Sequence, residues 1–272
     1  MTCIKLPPKP IKLTLAFALA LVNTTCSTRI QAQPTKPVVS TVRLVPPPPP
    51  PPPLADRGAP FGRQRGGASR GQCPDVGKPL TALVPATKVM TAEESVWGLT
   101  DAEYPTFWFY VPYSLTPKLP VEFVLQDDDG NYVYKDSFTA SQKQAGIVKL
   151  RLPSTAGPLE VGKMYKWYFL VDCDPDAPPL VEGWVERRAM NPTIMSKLKN
   201  ATLRQRVTLY AANGFWHDAL TTLAELRSAN PGDATLSRDW VSLLHSVGLD
   251  AIAPEPIIEC CTPPREQGEM GR

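Results

Sequence analysis

The sequence contains only two histidines, His217 and His245, and neither has a partner at a spacing that chemistry needs. His217 is followed by Asp218, but adjacent residues on a helix point about 100° apart and do not face each other. No HExxH or complete P-loop sequence is present, so a zincin and a nucleotide triphosphatase find no support. Cysteine is scarce as well, and no CxxC-like pair with a second ligand pair offers a zinc site. A large excess of one charge is also lacking, with 29 Lys and Arg against 26 Asp and Glu. The expectation is a protein without a catalytic centre, a metal or a cofactor.

The apolar run at 13–22 is ten residues long, well below the roughly 18 needed to cross a bilayer. It follows Lys5, Lys9 and Lys12 and precedes Ile30-Gln31-Ala32, the order of a secretory signal cleaved before Gln33. A lipoprotein reading would centre on Cys26, but Asn23-Thr24-Thr25 lacks the usual leucine and small-residue pattern. Residues 1–32 are therefore expected to be a signal peptide, leaving no transmembrane segment in an exported mature chain. Removing them takes four basic residues and no acid, so +3 becomes −1. Residues 33–72 then carry six basic residues and one acid, net +5, and the body from 73 onward is −6. An acidic body argues against a nucleic-acid partner.

What the chain has in excess is proline, 32 residues against an average share of about 5%. Residues 46–53 are all proline, an extended stiff spacer by composition. The Arg/Gly-rich stretch 57–71 has no apolar period. Residues 33–72 are thus expected to form a disordered Pro-rich and Arg/Gly-rich linker, and 262–272 a disordered tail.

Between 73 and 190, short β-branched and aromatic segments alternate with turn residues. Strands are expected at 80–84, 106–112, 121–126, 131–139, 146–152, 164–173 and 180–188. Their number and spacing suggest a two-sheet antiparallel sandwich. Leu159, Gly162 and Tyr165, spaced by three just before an alternating strand, have the form of the tyrosine corner of immunoglobulin-like sandwiches. In that strand Tyr165, Trp167, Phe169, Val171 and Cys173 share one face. From 191 to 261 the period becomes helical, with helices expected at 192–212, 215–229 and 234–247. Gly214, Trp216, Ala219 and Pro231 stand at tetratricopeptide (TPR) offsets with Tyr210, although Arg206 and Val207 depart from the pattern. The fold class is mainly β: an immunoglobulin-like antiparallel β-sandwich with a C-terminal TPR-like helical extension packed on it.

After loss of Cys3 and Cys26, Cys73, Cys173, Cys260 and Cys261 remain, an even set that favours disulfides in an exported chain. Either Cys73 and Cys173 each pair with one of the C-terminal couple, or they pair with each other. The loop Asp127–Asn131 suits calcium by its clustered oxygens, or a plain hairpin turn by its Asp-Gly step. Asp172, Asp174 and Asp176 lack the glycine and glutamate of a calcium-binding helix–loop–helix and mark a turn. Trp184, with Glu182 and Glu186 on the same side of its strand, forms a candidate sugar-stacking face, unless the helices cover it. The two glutamates lie roughly 13 Å apart at about 3.3 Å per residue, too far for a glycosidase pair.

The runs RGAPFGRQRGGASRGQCP, LTALVP, YPTFWFYVPY, EFVLQDDDGN, DCDP, VEGWVERR, ALTTLAELRSANP and WVSLLHSVGL resemble an uncharacterised family of exported cyanobacterial proteins, a domain of unknown function. The resemblance spans about 57–261 and implies a periplasmic, cell-surface or extracellular setting. It brings no reaction, ligand or catalytic residue, and it places the Arg/Gly segment before Cys73 within the family pattern. The function expected is that of a non-catalytic interaction or adaptor protein with an envelope protein as partner. The alternative is a carbohydrate-binding module for envelope polysaccharide.

Overall fold

A computed structural model describes residues 42–46, 61–67, 73–88, 94–139, 144–258 and 260. The expected signal peptide, the tail 262–272 and Cys261 lie outside them. The elements are β1 (Phe61–Gly62), β2 (Thr81–Ala82), β3 (Ala86–Lys88), β4 (Glu94–Thr100), β5 (Thr106–Val111), β6 (Val121–Gln126), β7 (Tyr132–Phe138), β8 (Gly146–Arg151), β9 (Met164–Val171), β10 (Leu180–Arg187), α1 (Pro192–Asn200), α2 (Leu203–Ala212), α3 (Trp216–Ala229) and α4 (Ala234–His245). The fold is mainly β. One sheet runs β1-β4-β10-β9-β6-β7 with β3 also on β4, and a second runs β2-β5-β8.

The layers follow from side-chain alternation. In β9, Tyr165, Trp167, Phe169 and Val171 are buried while their neighbours are half-buried, the expected period of two. These face Phe107, Phe109 and Val111 of β5 across a shared core, where the Phe109 and Phe169 rings stack at 4.0 Å. The other face of β5, Trp108 and Tyr110, joins Trp216, Leu220, Trp240 and Leu244 in a second core beneath the helices. The strand is therefore buried on both sides, which is why 106–111 reads as an unbroken apolar run. Tryptophan N–H groups stitch the layers together. Trp216 donates to the Leu83 carbonyl at 2.7 Å and Trp108 to Thr221 Oγ1 at 3.0 Å.

The tyrosine corner has the expected bond: the Glu160 N–H donates to Tyr165 Oη at 2.8 Å, with Gly162 at φ +83° in the turn. All seven expected strands form, although 80–84 contributes only Thr81–Ala82. Three results differ from expectation. First, the larger sheet is mixed, because β4 runs parallel to β10 in the register Trp184↔Trp97 to Arg187↔Thr100. These strands are far apart in sequence, so no hairpin forces them antiparallel.

Secondly, the helix expected at 192–212 is two, broken at Ala201 and Thr202. There Thr202 starts α2 in a capping box with Gln205, which competes with helix continuation. Thirdly, parts of the stretch expected to be disordered carry structure. Gly62 pairs with Glu94 of β4, Arg63 bridges Glu182, and Arg65 bridges Thr81 of the second sheet. Buried Gln64 donates to the Val84 carbonyl at 2.6 Å, so residues 61–66 tie both sheets together along one side. Residues 42–46 pack on the helices, with Val42 and Leu44 in the second core. A few apolar side chains and free strand edges suffice to order segments whose own composition has no period.

Cys73 pairs with Cys173, so the alternative in which both reach the C-terminal couple does not occur. Cys260 is also disulfide-bonded. Among the described residues no helix is long and apolar enough to cross a membrane.

Candidate functional site

The outer face of the larger sheet carries the sequence-predicted cluster. Cross-strand register sets Trp97, Trp184 and Lys166 in one row and places Glu182 opposite Tyr168 in the next. All are half-buried. The Lys166 ammonium pairs with Glu182 Oε2 at 3.0 Å and lies over the Tyr168 ring at 4.8 Å and the Trp184 ring at 5.9 Å. Trp184 Nε1 donates to the Phe61 carbonyl at 3.1 Å, so β1 meets the indole. Leu198 and Ile194 of α1 and Leu209 and Tyr210 of α2 cluster instead with Leu99 and Trp97 of β4. Glu186 is separate from this surface: it is buried and held bidentately by Arg188 at 2.8 Å. The structure thus joins Trp184 and Glu182 with Trp97, Tyr168 and Lys166, and leaves Glu186 to a structural pair. Lys166 and Tyr168 were legible as the outward set of β9, but their meeting with Glu182 required the register.

A second cluster lines a polar cleft of about 180 Å³ between α3 and the turn after β4, with Tyr104, Arg151, Tyr210, His217, Asp218 and Glu225 on its walls. Burial pushes the Asp218 carboxyl up to about 7, against a hydrogen bond from the Asp101 N–H at 3.1 Å that favours its charge. Burial likewise holds His217 down to about 4, so its imidazole is neutral, with Nδ1 3.4 Å from the Thr106 carbonyl. As helix geometry requires, Asp218 turns to the backbone of residue 101 and not to its neighbour His217. Nε2 of His217 is buried without a hydrogen-bond partner and lies against Gly98, where an added Cβ would sit 3.0 Å away. The Thr100 hydroxyl bonds the Asp218 carboxyl, and Thr106, Thr221 and Thr222 also line the cleft.

The Asp127–Asn131 loop is a hairpin turn that uses its own carboxylate. Asp127 Oδ1 accepts the N–H groups of Asp129 and Asn131 at 3.0 and 2.8 Å, Oδ2 accepts the Asn131 side-chain amide at 3.0 Å, and Gly130 sits at φ +82°. The Asn131 side-chain bond is the largest of the effects that lower the Asp127 pKa. Asp174 similarly accepts the N–H groups of Asp176 and Ala177. Among the described residues no three His, Cys, Asp or Glu side chains converge as metal ligands.

The third feature is a groove between the C-terminal ends of α2 and α4, holding residues 42–46 in extended form. The Val45 N–H donates to the Ala211 carbonyl at 2.9 Å and the Leu44 N–H to Ser246 Oγ at 3.2 Å. Ala211 lies in the last turn of α2, whose final carbonyls have no partner within the helix. Nothing in the composition of 42–46 beyond its apolar alternation signals this.

A family model described as Domain of Unknown Function (DUF928) matches residues 65–257. No curated protein matches the chain. Among solved structures, a Parabacteroides merdae beta-glucuronidase with glycerol in its active site is similar at 15% identity and a TM-score of 0.23, covering 41% of this chain and 14% of that one. A putative beta-galactosidase from Bacteroides fragilis is similar at 18% identity and a TM-score of 0.21, covering 38% and 16%. The chain therefore spans under a fifth of the length of either enzyme, and likenesses this weak bear no argument about activity.

Proposed function

From a chain that belongs to the DUF928 family, whose description assigns no reaction, we propose a non-catalytic interaction or adaptor protein of the periplasm or cell surface. The observation that carries this reading is the groove at the ends of α2 and α4, which holds an extended peptide by two backbone N–H groups and two alternate apolar side chains. We read α2 and α3 as a TPR-like hairpin, supported by Gly214 at φ +80° in their turn and by buried Trp216 and Ala219. The facing sheets read as an immunoglobulin-like sandwich, supported by the tyrosine corner. Export is supported by the N-terminal pattern and by the Cys73–Cys173 bridge, which suits an oxidising compartment.

The test is affinity capture from an envelope extract with the chain from Gln33 onward as bait. A stoichiometric protein partner is expected, and recovery of glycans alone, or of nothing, sinks the adaptor reading. Deleting residues 191–272 is a poor control, because the helices share a core with Trp108, Tyr110 and Ile147 of the second sheet. A second reading, polysaccharide binding, is favoured by the row of Trp97 and Trp184 beside Tyr168 and the Lys166–Glu182 pair, a surface with both stacking and hydrogen-bonding groups.

A further inference from the structure

We infer that the groove between the C-terminal ends of α2 and α4 is an acceptor site for an extended peptide of a partner, and that residues 42–46 are its tethered occupant. This rests on the interaction-protein reading and adds the partner's chemistry and a built-in competitor. Val42 and Leu44 are 2% and 4% exposed, while Arg43 and Val45 face solvent. The segment therefore uses the two-residue period by which an extended chain presents alternate side chains to one surface.

Its backbone is recognised without regard to side chain. Ser246 Oγ donates to the Leu243 carbonyl at 2.7 Å, which leaves its lone pairs for the Leu44 N–H. The Ala211 carbonyl, in the last turn of α2, takes the Val45 N–H at 2.9 Å beside a longer bond from the Gly214 N–H at 3.3 Å. Both acceptors stand at helix C-termini, the negative ends of their dipoles, so a basic residue such as Arg43 at the second position is favoured.

The pattern this accepts can be stated. It has an apolar side chain at the first and third positions and any exposed residue, preferably basic, at the second. Proline is excluded at the third and fourth, where an N–H is needed, and tolerated at the fifth, where Pro46 stands. Since 42–46 is covalently attached, its effective concentration at the groove is on the order of millimolar. A free peptide of equal intrinsic affinity binds only when it exceeds that level or when the tether is displaced.

The experiment uses the full chain with a protease site inserted between Pro53 and Leu54, folded before it is cut. The probe is a fluorescent peptide covering residues 40–48. The expected result is that the cut chain releases its N-terminal fragment on dilution, keeps its near-ultraviolet circular dichroism, and binds the probe at least tenfold more tightly than the uncut chain. A probe carrying Val42→Asp and Leu44→Asp is expected not to bind, and one carrying Arg43→Ala to bind more weakly. A fragment that stays through dilution and is not exchanged by excess probe would make 42–46 a fixed part of the core and overturn the inference. So would release of the fragment without binding of the probe. A solution mass of two copies for the uncut chain, falling to one on cleavage, would make a second copy the occupant and also overturn it. If exchange fails while envelope capture still yields a stoichiometric partner, only this inference falls and the interaction reading stands.

Discussion

His217 and Asp218 sit side by side in α3, and burial moves their pKa values in opposite directions. The folded chain keeps a proton on Asp218 up to about pH 7, whereas the unfolded chain loses it near 3.8, so stability falls as the pH rises through that window. His217 works the other way. Unfolded, it takes a proton near 6.5 and folded only near 4, so stability falls as the pH drops through that range. The two slopes oppose each other between about pH 4 and 6.5. Asp218→Asn, which can still accept the Asp101 N–H, is expected to leave the histidine slope alone. Its melting temperature should then decline on acidification below pH 6.5, and at pH 8 it should lie above that of the parent. Melting curves from pH 4 to 8 check this, and an unchanged profile would mean Asp218 is solvated. On the sheet face, Trp184→Ala removes a half-buried ring outside the cores. It is expected to weaken polysaccharide binding several-fold in a pull-down with little change in melting temperature, if the second reading holds. Loss of fold would mean the ring is needed for packing.

Element by element, local signals and tertiary demands diverge at particular places. The strand at 164–171 and the helices from 216 and 234 show their period plainly, while 106–111 reads as an unbroken apolar run. The sequence ESVWGLT of β4 shows no such period, because both of its faces are covered: Val96 enters the first core while Leu99 meets the helices. Glycine within a strand ordinarily weakens it, yet Gly98 and Gly183 are needed for close approach. A Cβ on Gly183 would lie 2.7 Å from the Val96 carbonyl and would collide with the Trp167 ring. Gly183→Ala is therefore expected to destabilise by about 3 kcal/mol or more, read from the urea midpoint, and a neutral result would refute the packing of β10 on β4. The break between α1 and α2 is set locally. Thr202→Ala removes one half of the capping box and should cost about 1 kcal/mol in the same assay, with the strands unaffected.

For the whole molecule, the Cys73–Cys173 bridge closes a loop of sequence separation 100, spanning β2 through β9. Replacing both cysteines by serine is expected to lower stability by about 2–5 kcal/mol, and a smaller change would mean the unfolded chain is already restrained. This scale also divides what was legible from what was not. The sequence by itself determined the mainly β class, the position of most strands and helices, the tyrosine corner and the inward face of β9, because each depends on residues within one or two turns of chain. The alternation of β10 also placed Trp184 and Glu182 on one side of the strand. Register, pairing direction and the disulfide partner were decided only in three dimensions, since each joins residues far apart in sequence by an energy that local composition does not encode. The same holds for Glu186, drawn away from Trp184 by Arg188, and for residues 42–46 and 61–66. Those two segments have no period strong enough to fold alone. They are ordered because the packed body offers them a groove with hydrogen-bond acceptors at two helix ends and an unfilled strand edge.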